Sequence, residues 1–259
     1  MKKKMQEADV VSVRHGVATF WIIGASPLIH NSMGAKAMRE LLLPAGRKTA
    51  AQKKNSLKHD PIKEFRASMY RRGEFENGPT RVVFPAPAFK GALMTAALDC
   101  PIGRKKSEVG RLSWIEGQSV DIYGVPRLQM SVVRSADMNR TPDVRTRAIM
   151  HEWATKVVVR FVEPVLTAET VATLLEFAGM TTGIGDFRQE KGKGNFGQFR
   201  LCAPDDPDWV RIVANGGVLV QDEAIAEPEA ADAQTEDLLA FFEAEVTARG
   251  ISHLVEAVA

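Results

Sequence analysis

Residues 168–202 read AETVATLLEFAGMTTGIGDFRQEKGKGNFGQFRLC and join a helical pattern to a strand through a loop rich in glycine. Thr167 can cap the helix, Glu169 falls in its first turn and Gly179 marks its end, which predicts a helix over 168–179. The last residues, GQFRLC, predict a strand. A dinucleotide-binding loop follows a strand and opens a helix, whereas this loop follows a helix, so we expect a different use for it.

The segments before this loop complete an α+β pattern. Residues 17–24 (VATFWIIG) predict a first strand, residues 87–97 a helix, and residues 154–164 (ATKVVVRFVEP) a central strand. Residues 118–124 and 127–135 predict a hairpin because Gly and Pro part the two strand-like runs. The order of strand, helix, strands, helix and strand is that of the ferredoxin-like split βαβ fold.

Charge divides the chain into a basic body and an acidic end. Residues 203–259 contain thirteen Asp and Glu against Arg211 and Arg249, a net charge of −11, and since the whole chain carries +2, residues 1–202 carry about +13. We therefore predict a core over 12–202, followed by an acidic C-terminal extension. An acidic extension can shield a basic groove of its own chain or occupy that of a neighbouring copy.

The extension is predicted to begin with a linker. Residues 203–233 are acidic and rich in Pro and Ala, with a short strand at WVRIVA. Thr235 predicts the cap of a terminal amphipathic helix. The apolar face of that helix contains Leu238, Leu239, Phe242 and Val246.

A long basic insertion, residues 36–79, follows the first strand. Within it, residues 36–72 hold eleven Lys and Arg against three acids, roughly +8. A short helical pattern covers 33–43, and the rest has little periodicity, which favours a partly mobile loop with a function. Such a positive field attracts polyanions, among which nucleic acid is the leading candidate.

Several classes of protein are disfavoured by the sequence. It has no run of about 18 uncharged apolar residues and no apolar segment after the basic start, so we expect neither a membrane span nor a secretory signal, and a cytoplasmic location. Cys100 and Cys202 lack CxxC spacing and neighbouring His pairs. We therefore expect no metal site, disulfide or cofactor.

The glycine-rich loop combines features that suit a nucleic-acid strand. Its glycines allow close approach of another backbone, its cations can contact phosphates, and its aromatic rings can stack on bases. The predicted binding residues of the loop are Gly183, Gly185, Phe187, Arg188, Lys191, Lys193 and Phe196. A bulged hairpin with a polar tip would have the same composition, and the loop alone does not separate the two.

Three motifs, in this order along the chain, resemble one family. FPAPAFKGALMTAA (84–97) resembles the start of the first helix in the RAMP superfamily, the RNA-recognition-motif-like proteins of CRISPR systems, particularly the backbone subunits that line up along guide RNA. MSVVRSADMNRTPDVRTRA (130–148) is similar to their basic segment before the central strand, and GIGDFRQEKGKGNFGQF (183–199) to their C-terminal glycine-rich loop. Ala88 and Met94 depart from the serine and arginine common in the family.

The resemblance implies an RNA-recognition-motif-like core and a groove that follows phosphates. It adds Lys90, Arg134, Arg140, Arg145 and Arg147 to the predicted nucleic-acid contacts. It implies a non-catalytic protein that binds single-stranded nucleic acid, RNA in preference to DNA, largely without regard to sequence. Copies would assemble side by side along the strand as a homo-oligomer or filament, or with other subunits of a ribonucleoprotein complex.

Two alternative functions stay open. Some RAMP proteins cleave RNA with a histidine or an acidic residue, which makes His30, His59 and Asp60 candidates in a metal-independent endoribonuclease. The other alternative is a structural assembly protein whose basic face holds acidic protein partners. RNA and DNA are not distinguished by sequence, because no residues that read a 2′-hydroxyl can be placed.

Overall fold

The computed structural model describes residues 12–33, 42, 59–73, 76–134, 142–191 and 194–249. The strands in these residues are β1 (Arg14–Gly24), β2 (Leu28–Ile29), β3 (Val83–Pro85), β4 (Ser113–Ile115), β5 (Ser119–Asp121), β6 (Arg127–Arg134), β7 (Pro142–Met150), β8 (Ala154–Glu163) and β9 (Phe199–Cys202). The helices are α1 (Pro61–Ser68), α2 (Ala86–Ala96), α3 (Lys106–Leu112), α4 (Ala168–Thr181), α5 (Pro207–Asn215), α6 (Val218–Ala226) and α7 (Ala233–Ala248).

Strands β4, β8, β1 and β9 form an antiparallel sheet in that order. Helix α2 lies between β1 and β4 along the chain, and α4 between β8 and β9. This is the split βαβ topology, so the predicted ferredoxin-like α+β fold is confirmed. In the register of the sheet, Trp21 of β1 lies opposite Lys156 on β8 and Cys202 on β9.

Helices α2 and α4 bury the core of this sheet. Phe89 of α2, Leu174 of α4 and Phe161 of β8 are each at most 1% exposed, and burying a side chain of this size contributes about 1.5–3 kcal/mol. An added Cβ at Gly179 would overlap the Phe199 carbonyl oxygen. Gly179 therefore serves the close contact of α4 with β9, and the helix continues past this predicted end.

A second antiparallel sheet contains β2, β7 and β6 in that order, and β3 pairs with β5. The predicted hairpin of residues 118–124 with 127–135 is therefore wrong. Strand β6 pairs along its whole length with β7, which brings Leu128 opposite Ala148, and both side chains are fully buried. The short β5 offers too few residues for that burial.

Only part of the basic insertion lies among the described residues. Residues 34–41, 43–58 and 74–75, with most of the predicted 33–43 helix and the predicted mobile stretch, lie outside them. Helix α1 was not predicted from the sequence. Asp60 caps it by accepting a backbone hydrogen bond at 3.1 Å. Helix α1 is fixed by the buried Phe65 and by Ser68 Oγ, which accepts from the Ala148 backbone N at 2.8 Å.

The extension begins with two helices, so the predicted linker over 203–233 and its short strand are wrong. Asp206 caps α5 with its side chain, and Pro207 occupies the first turn. Trp209 of α5 is 8% exposed and packs in a cluster with Ile23 of β1. The acidic composition of this segment favoured a linker, but the segment forms an amphipathic helix.

Gln221 of α6 fastens the extension to the core. Its side chain is fully buried, and Oε1 accepts from the backbone N of Arg81 and of Val82, each at 2.8 Å. Its Nε2 donates to the carbonyl groups of Ile122, Gly124 and Gly216. Residues 216–226 are therefore an integral part of the folded body, and the boundary predicted after residue 202 stays a prediction.

The terminal helix forms as predicted but with a different cap. Asp232 caps α7 by accepting from the Thr235 backbone N at 2.7 Å. Thr235 is fully buried instead, where its hydroxyl accepts from the Met130 backbone N at 3.2 Å. An acidic cap at a helix N-terminus also suits the helix dipole.

Candidate nucleic-acid interface

The glycine-rich loop, residues 182–198, folds against itself and against the end of the segment before β2. The Ile184 backbone N donates to the Gly197 carbonyl at 2.9 Å, and the Gly197 N donates to the Pro27 carbonyl at 2.8 Å. Gly197 has φ of 71°, and an added Cβ would overlap the Ile184 carbonyl oxygen. Gly197 therefore closes the loop, and its N–H group is engaged within the protein.

A cleft of about 430 Å³ separates this loop from the first turns of α2. On the α2 side it is lined by the small residues Pro87, Ala88 and Gly91. On the loop side it is lined by Gly183 and Gly185, both with positive φ. Two of the segments that carry the family resemblance thus face each other across this α2 cleft.

Lys90 precedes Gly91 in α2 but is not among the lining residues of the α2 cleft. Successive helix positions are about 100° apart, so its side chain leaves α2 on a different side from Gly91. It is half-buried, and within the described part of the chain it forms no ion pair. Its ammonium group is therefore available to contact a phosphate.

The two predicted arginines nearest the cleft are already paired. Arg188 contacts Glu190 at 2.6 Å and donates to the Gly185 carbonyl at 3.0 Å. Arg147, 8% exposed, contacts Asp186 at 2.9 Å, and burial lowers its pKa. These carboxylates compensate the positive charge that the sequence alone assigned to the loop.

The predicted aromatic residues of the loop lie together. The ring centroids of Phe187 and Phe196 are 6.0 Å apart, and Phe187 is 51% exposed. Phe187 also has a positive φ of 52°, which is uncommon for a bulky residue. The side chain of Lys191 and all of Lys193 lie outside the described residues.

In the predicted basic segment, Arg145 is exposed. It forms no ion pair with the residues that the structure describes. It lines a hollow of about 270 Å³ that shares Asn31 with the α2 cleft. The Arg134 side chain and all of Arg140 fall outside the described residues. Lys90 and Arg145 are therefore the predicted cations that the structure leaves for a ligand.

A third and larger hollow, about 1080 Å³, adjoins the α2 cleft through Tyr70 and Pro85. Sequence reasoning singled out none of its four arginines as a contact. They are Arg66, Arg71, Arg72 and Arg81. The only sequence signal was the basic run over 36–72.

The extension supplies partners for this arginine hollow. Arg81 contacts both oxygens of Asp222, at 2.7 and 3.0 Å. Arg66 donates to the carbonyl groups of Ile225 and Ala226 at the end of α6. This contact agrees with the expectation that the acidic extension lies against basic residues of its own chain.

His30, a candidate general base, lies under the surface. It is fully buried, and burial lowers its pKa from 6.5 to about 3, so the ring is neutral. Its ring centroid is 5.4 Å from that of Phe84 and 6.5 Å from that of Tyr70. Neither ring nitrogen has a hydrogen-bond partner among the described residues.

The other two candidates for catalysis have structural partners. His59 Nδ1 lies 2.8 Å from Glu64 Oε1, and His59 Nε2 lies 3.1 Å from Asp143 Oδ1. Asp60 caps α1 and contacts the Lys63 ammonium at 3.2 Å. These contacts explain the positions of both residues without a catalytic role. Their participation in catalysis stays a prediction.

Two solved structures are similar to this chain at low scores. One is a chain of the cryo-EM structure of the type III-B Cmr-beta bound to cognate target RNA, with a TM-score of 0.37 and 11% identity, covering 73% of this chain and 59% of that one. The other is the crystal structure of Cmr6 from Pyrococcus furiosus, with a TM-score of 0.34 and 10% identity, covering 74% of this chain and 100% of that one. No family model and no curated protein matches the chain.

These structural neighbours are RAMP-family subunits. The motifs at α2 and at the glycine-rich loop pointed to the same family. Since the TM-scores lie below 0.5, the neighbours carry no argument about the ligand of this chain. Its function is therefore argued from the clefts and the charges around them.

Among the described residues, no helix has the length and apolar character needed to cross a membrane. In the same residues, no three His, Cys, Asp or Glu side chains converge as metal ligands would. Cys100 is buried and Cys202 is half-buried, and both are free thiols.

Proposed function

We propose that the protein is a non-catalytic, single-stranded nucleic-acid-binding protein, with RNA as the expected strand. The observation that carries the proposal is the α2 cleft, which brings the glycine-rich loop opposite the start of α2. Lys90 and Arg145 offer cations beside this cleft, and Phe187 offers an exposed ring. A strand lying along this face would contact phosphates at the rim and stack a base on the loop.

Binding of this kind is largely independent of sequence. Lysine and arginine contacts to phosphates carry no base information, and stacking on an aromatic ring accepts every base. The basic body, about +13 over residues 1–202, adds long-range attraction for a polyanion. Preference for RNA and assembly side by side along the strand remain parts of the proposal that rest on the motif resemblance.

A salt series tests the proposal. Affinity for fluorescent single-stranded RNA, single-stranded DNA and duplex is measured at increasing salt, with particle mass followed by light scattering. We expect tight binding to single strands, and a slope of log affinity against log salt of about −0.7 for each phosphate neutralised. Particle mass should increase with strand length.

Matched variants locate the interface. Lys90→Gln and Arg145→Gln should each weaken binding and make the salt slope shallower by about 0.7. Lys156→Gln, an exposed lysine on the four-stranded sheet, is the control and should leave both unchanged. Weak binding without salt dependence would contradict the proposal and favour the assembly protein that binds acidic partners.

A further inference from the structure

The α2 cleft differs in chemistry from a phosphate site. Among its lining residues the charged side chains are Asp186, Glu190 and Arg188, a net charge of −1. Arg188 is paired with Glu190, and Asp186 with the buried Arg147. A phosphate placed inside would meet two carboxylates and no unpaired cation of the lining, so the cleft favours an uncharged group.

The shape and walls of the cleft suit a flat ring. Its volume of about 430 Å³ falls within the range of small-molecule pockets, roughly 300–1,000 Å³. Tyr70 and Phe84 line it, with ring centroids 5.3 Å apart. An added Cβ at Gly91 would meet no atom within 4 Å, which shows the open space on the α2 side.

Polar residues also line the cleft. Asn31, Thr95 and Thr182 line the same cleft as the two aromatic rings. A site lined by aromatic rings, small residues and a few hydrogen-bonding groups suits a planar, uncharged molecule with donors and acceptors on its edge. A nucleobase has this chemistry, whereas an aliphatic side chain would leave the polar groups unpaired.

A buried histidine without hydrogen-bond partners among the described residues adjoins the cleft. His30 lies against Tyr70 and Phe84, and both of its ring nitrogens are unpartnered in the described part of the chain. Leaving a buried polar group unpaired costs about 1–3 kcal/mol, and such groups in native proteins call for an explanation.

We propose that the α2 cleft receives one unpaired nucleobase, which stacks against Tyr70 while the phosphates on either side remain at the rim beside Lys90. This inference rests on the proposed function and adds a base-binding site to it. In this interface the rim contacts the nucleic-acid backbone, and the cleft holds a base.

The test compares two strands of equal length, a single-stranded RNA and an abasic ribose phosphate with the same phosphates and no bases. Wild type should bind the RNA more tightly than the abasic strand, by on the order of tenfold for each stacked base, one in the α2 cleft and one on Phe187. Gly91→Leu places a side chain in the cleft and should reduce this preference by on the order of tenfold, leaving the contribution of Phe187, with the salt slope unchanged. Gly91→Ala, which adds only a Cβ in open space, is the matched control and should keep the preference.

Ala88→Leu fills the same cleft from the preceding turn of α2 and replaces Gly91→Leu if that variant unfolds. Salt-dependent binding of both strands, with a preference for RNA that neither Gly91→Leu nor Ala88→Leu reduces, would overturn the base site and leave the proposed function standing. The base site is also refuted, with the function intact, if wild type binds both strands equally. Absence of binding to either strand would overturn the proposed function and the base site together.

Discussion

At the scale of single residues, His30 is the clearest departure from an ordinary surface or core position. Its neutral ring is buried without a hydrogen-bond partner among the described residues, and burial lowers its pKa to about 3. The sequence could place His30 after the first strand but could not reveal its depth, because burial depends on Tyr70 and Phe84 from distant parts of the chain.

This burial predicts a pH-dependent stability. Between about pH 6.5 and pH 3 the unfolded chain binds a proton at His30 that the folded chain does not, so the free energy of unfolding should fall as the pH falls. The loss relative to His30→Leu should be about 1.4 kcal/mol per pH unit in this window. Urea unfolding of both proteins measures it, and a constant difference across the window would show that the ring titrates normally.

At the candidate site, too, the role of a residue depends on contacts that the sequence alone does not show. A high glycine content predicted a special loop, but the role of Gly197 in closing it against Ile184 needed coordinates. Likewise, Arg188 was predicted as a phosphate contact from the composition of the loop, and Arg147 from the family resemblance. Their carboxylate partners come from the fold, which brings Arg147 of β7 against Asp186 of the loop.

At the scale of elements, the sequence was enough to predict those strands and helices whose local residue pattern determines their structure. β1, β8 and α4 have strong apolar periodicity or a side-chain cap, and all three form where predicted. Pairing partners were not local: β5 and β6 are neighbours in the chain, yet they pair with β3 and β7. The choice depends on which pairing buries more apolar surface, which a single segment does not encode.

Helix α6 depends on Gln221, which leads to a prediction for the extension. Gln221→Leu would leave the buried backbone N–H groups of Arg81 and Val82 without an acceptor. Since each unpaired buried group costs about 1–3 kcal/mol, the free energy of unfolding should fall by at least about 2 kcal/mol. Chemical denaturation measures the loss.

Asn215→Ala is the control for that variant. Asn215 is an exposed residue of α5 whose side chain bonds only to a carbonyl one turn earlier, and its replacement should cost less than about 0.5 kcal/mol. Equal, small losses for the two variants would mean that α6 is not anchored by Gln221.

At the scale of the whole molecule, the division of charge shapes the encounter with a polyanion. The basic body and the acidic extension pack on each other through Arg81 and Asp222, and α7 carries further exposed acids. The charge asymmetry was readable from composition. Its consequence, an arginine hollow lined in part by the end of α6, was not, because it requires the fold.

Neutralising exposed acids of α7 should therefore raise affinity for RNA. The triple variant Glu236→Gln, Asp237→Asn, Glu243→Gln removes three negative charges from exposed positions and leaves buried contacts intact. We expect binding several-fold tighter at low salt, and no difference at about 1 M salt, where the Debye length is about 3 Å. Unchanged affinity at low salt would show that the acidic residues of the extension do not weaken RNA binding electrostatically.

Photo-crosslinking of the full chain to single-stranded RNA that contains 4-thiouridine, followed by mapping of the linked peptides, tests the location of the interface most directly. The α2 cleft is formed by residues 84–95 on one side and 182–190 on the other. We predict crosslinks in both segments, weakened by Lys90→Gln. Crosslinks confined to the exposed face of the four-stranded sheet, with neither segment labelled, would contradict the proposed interface.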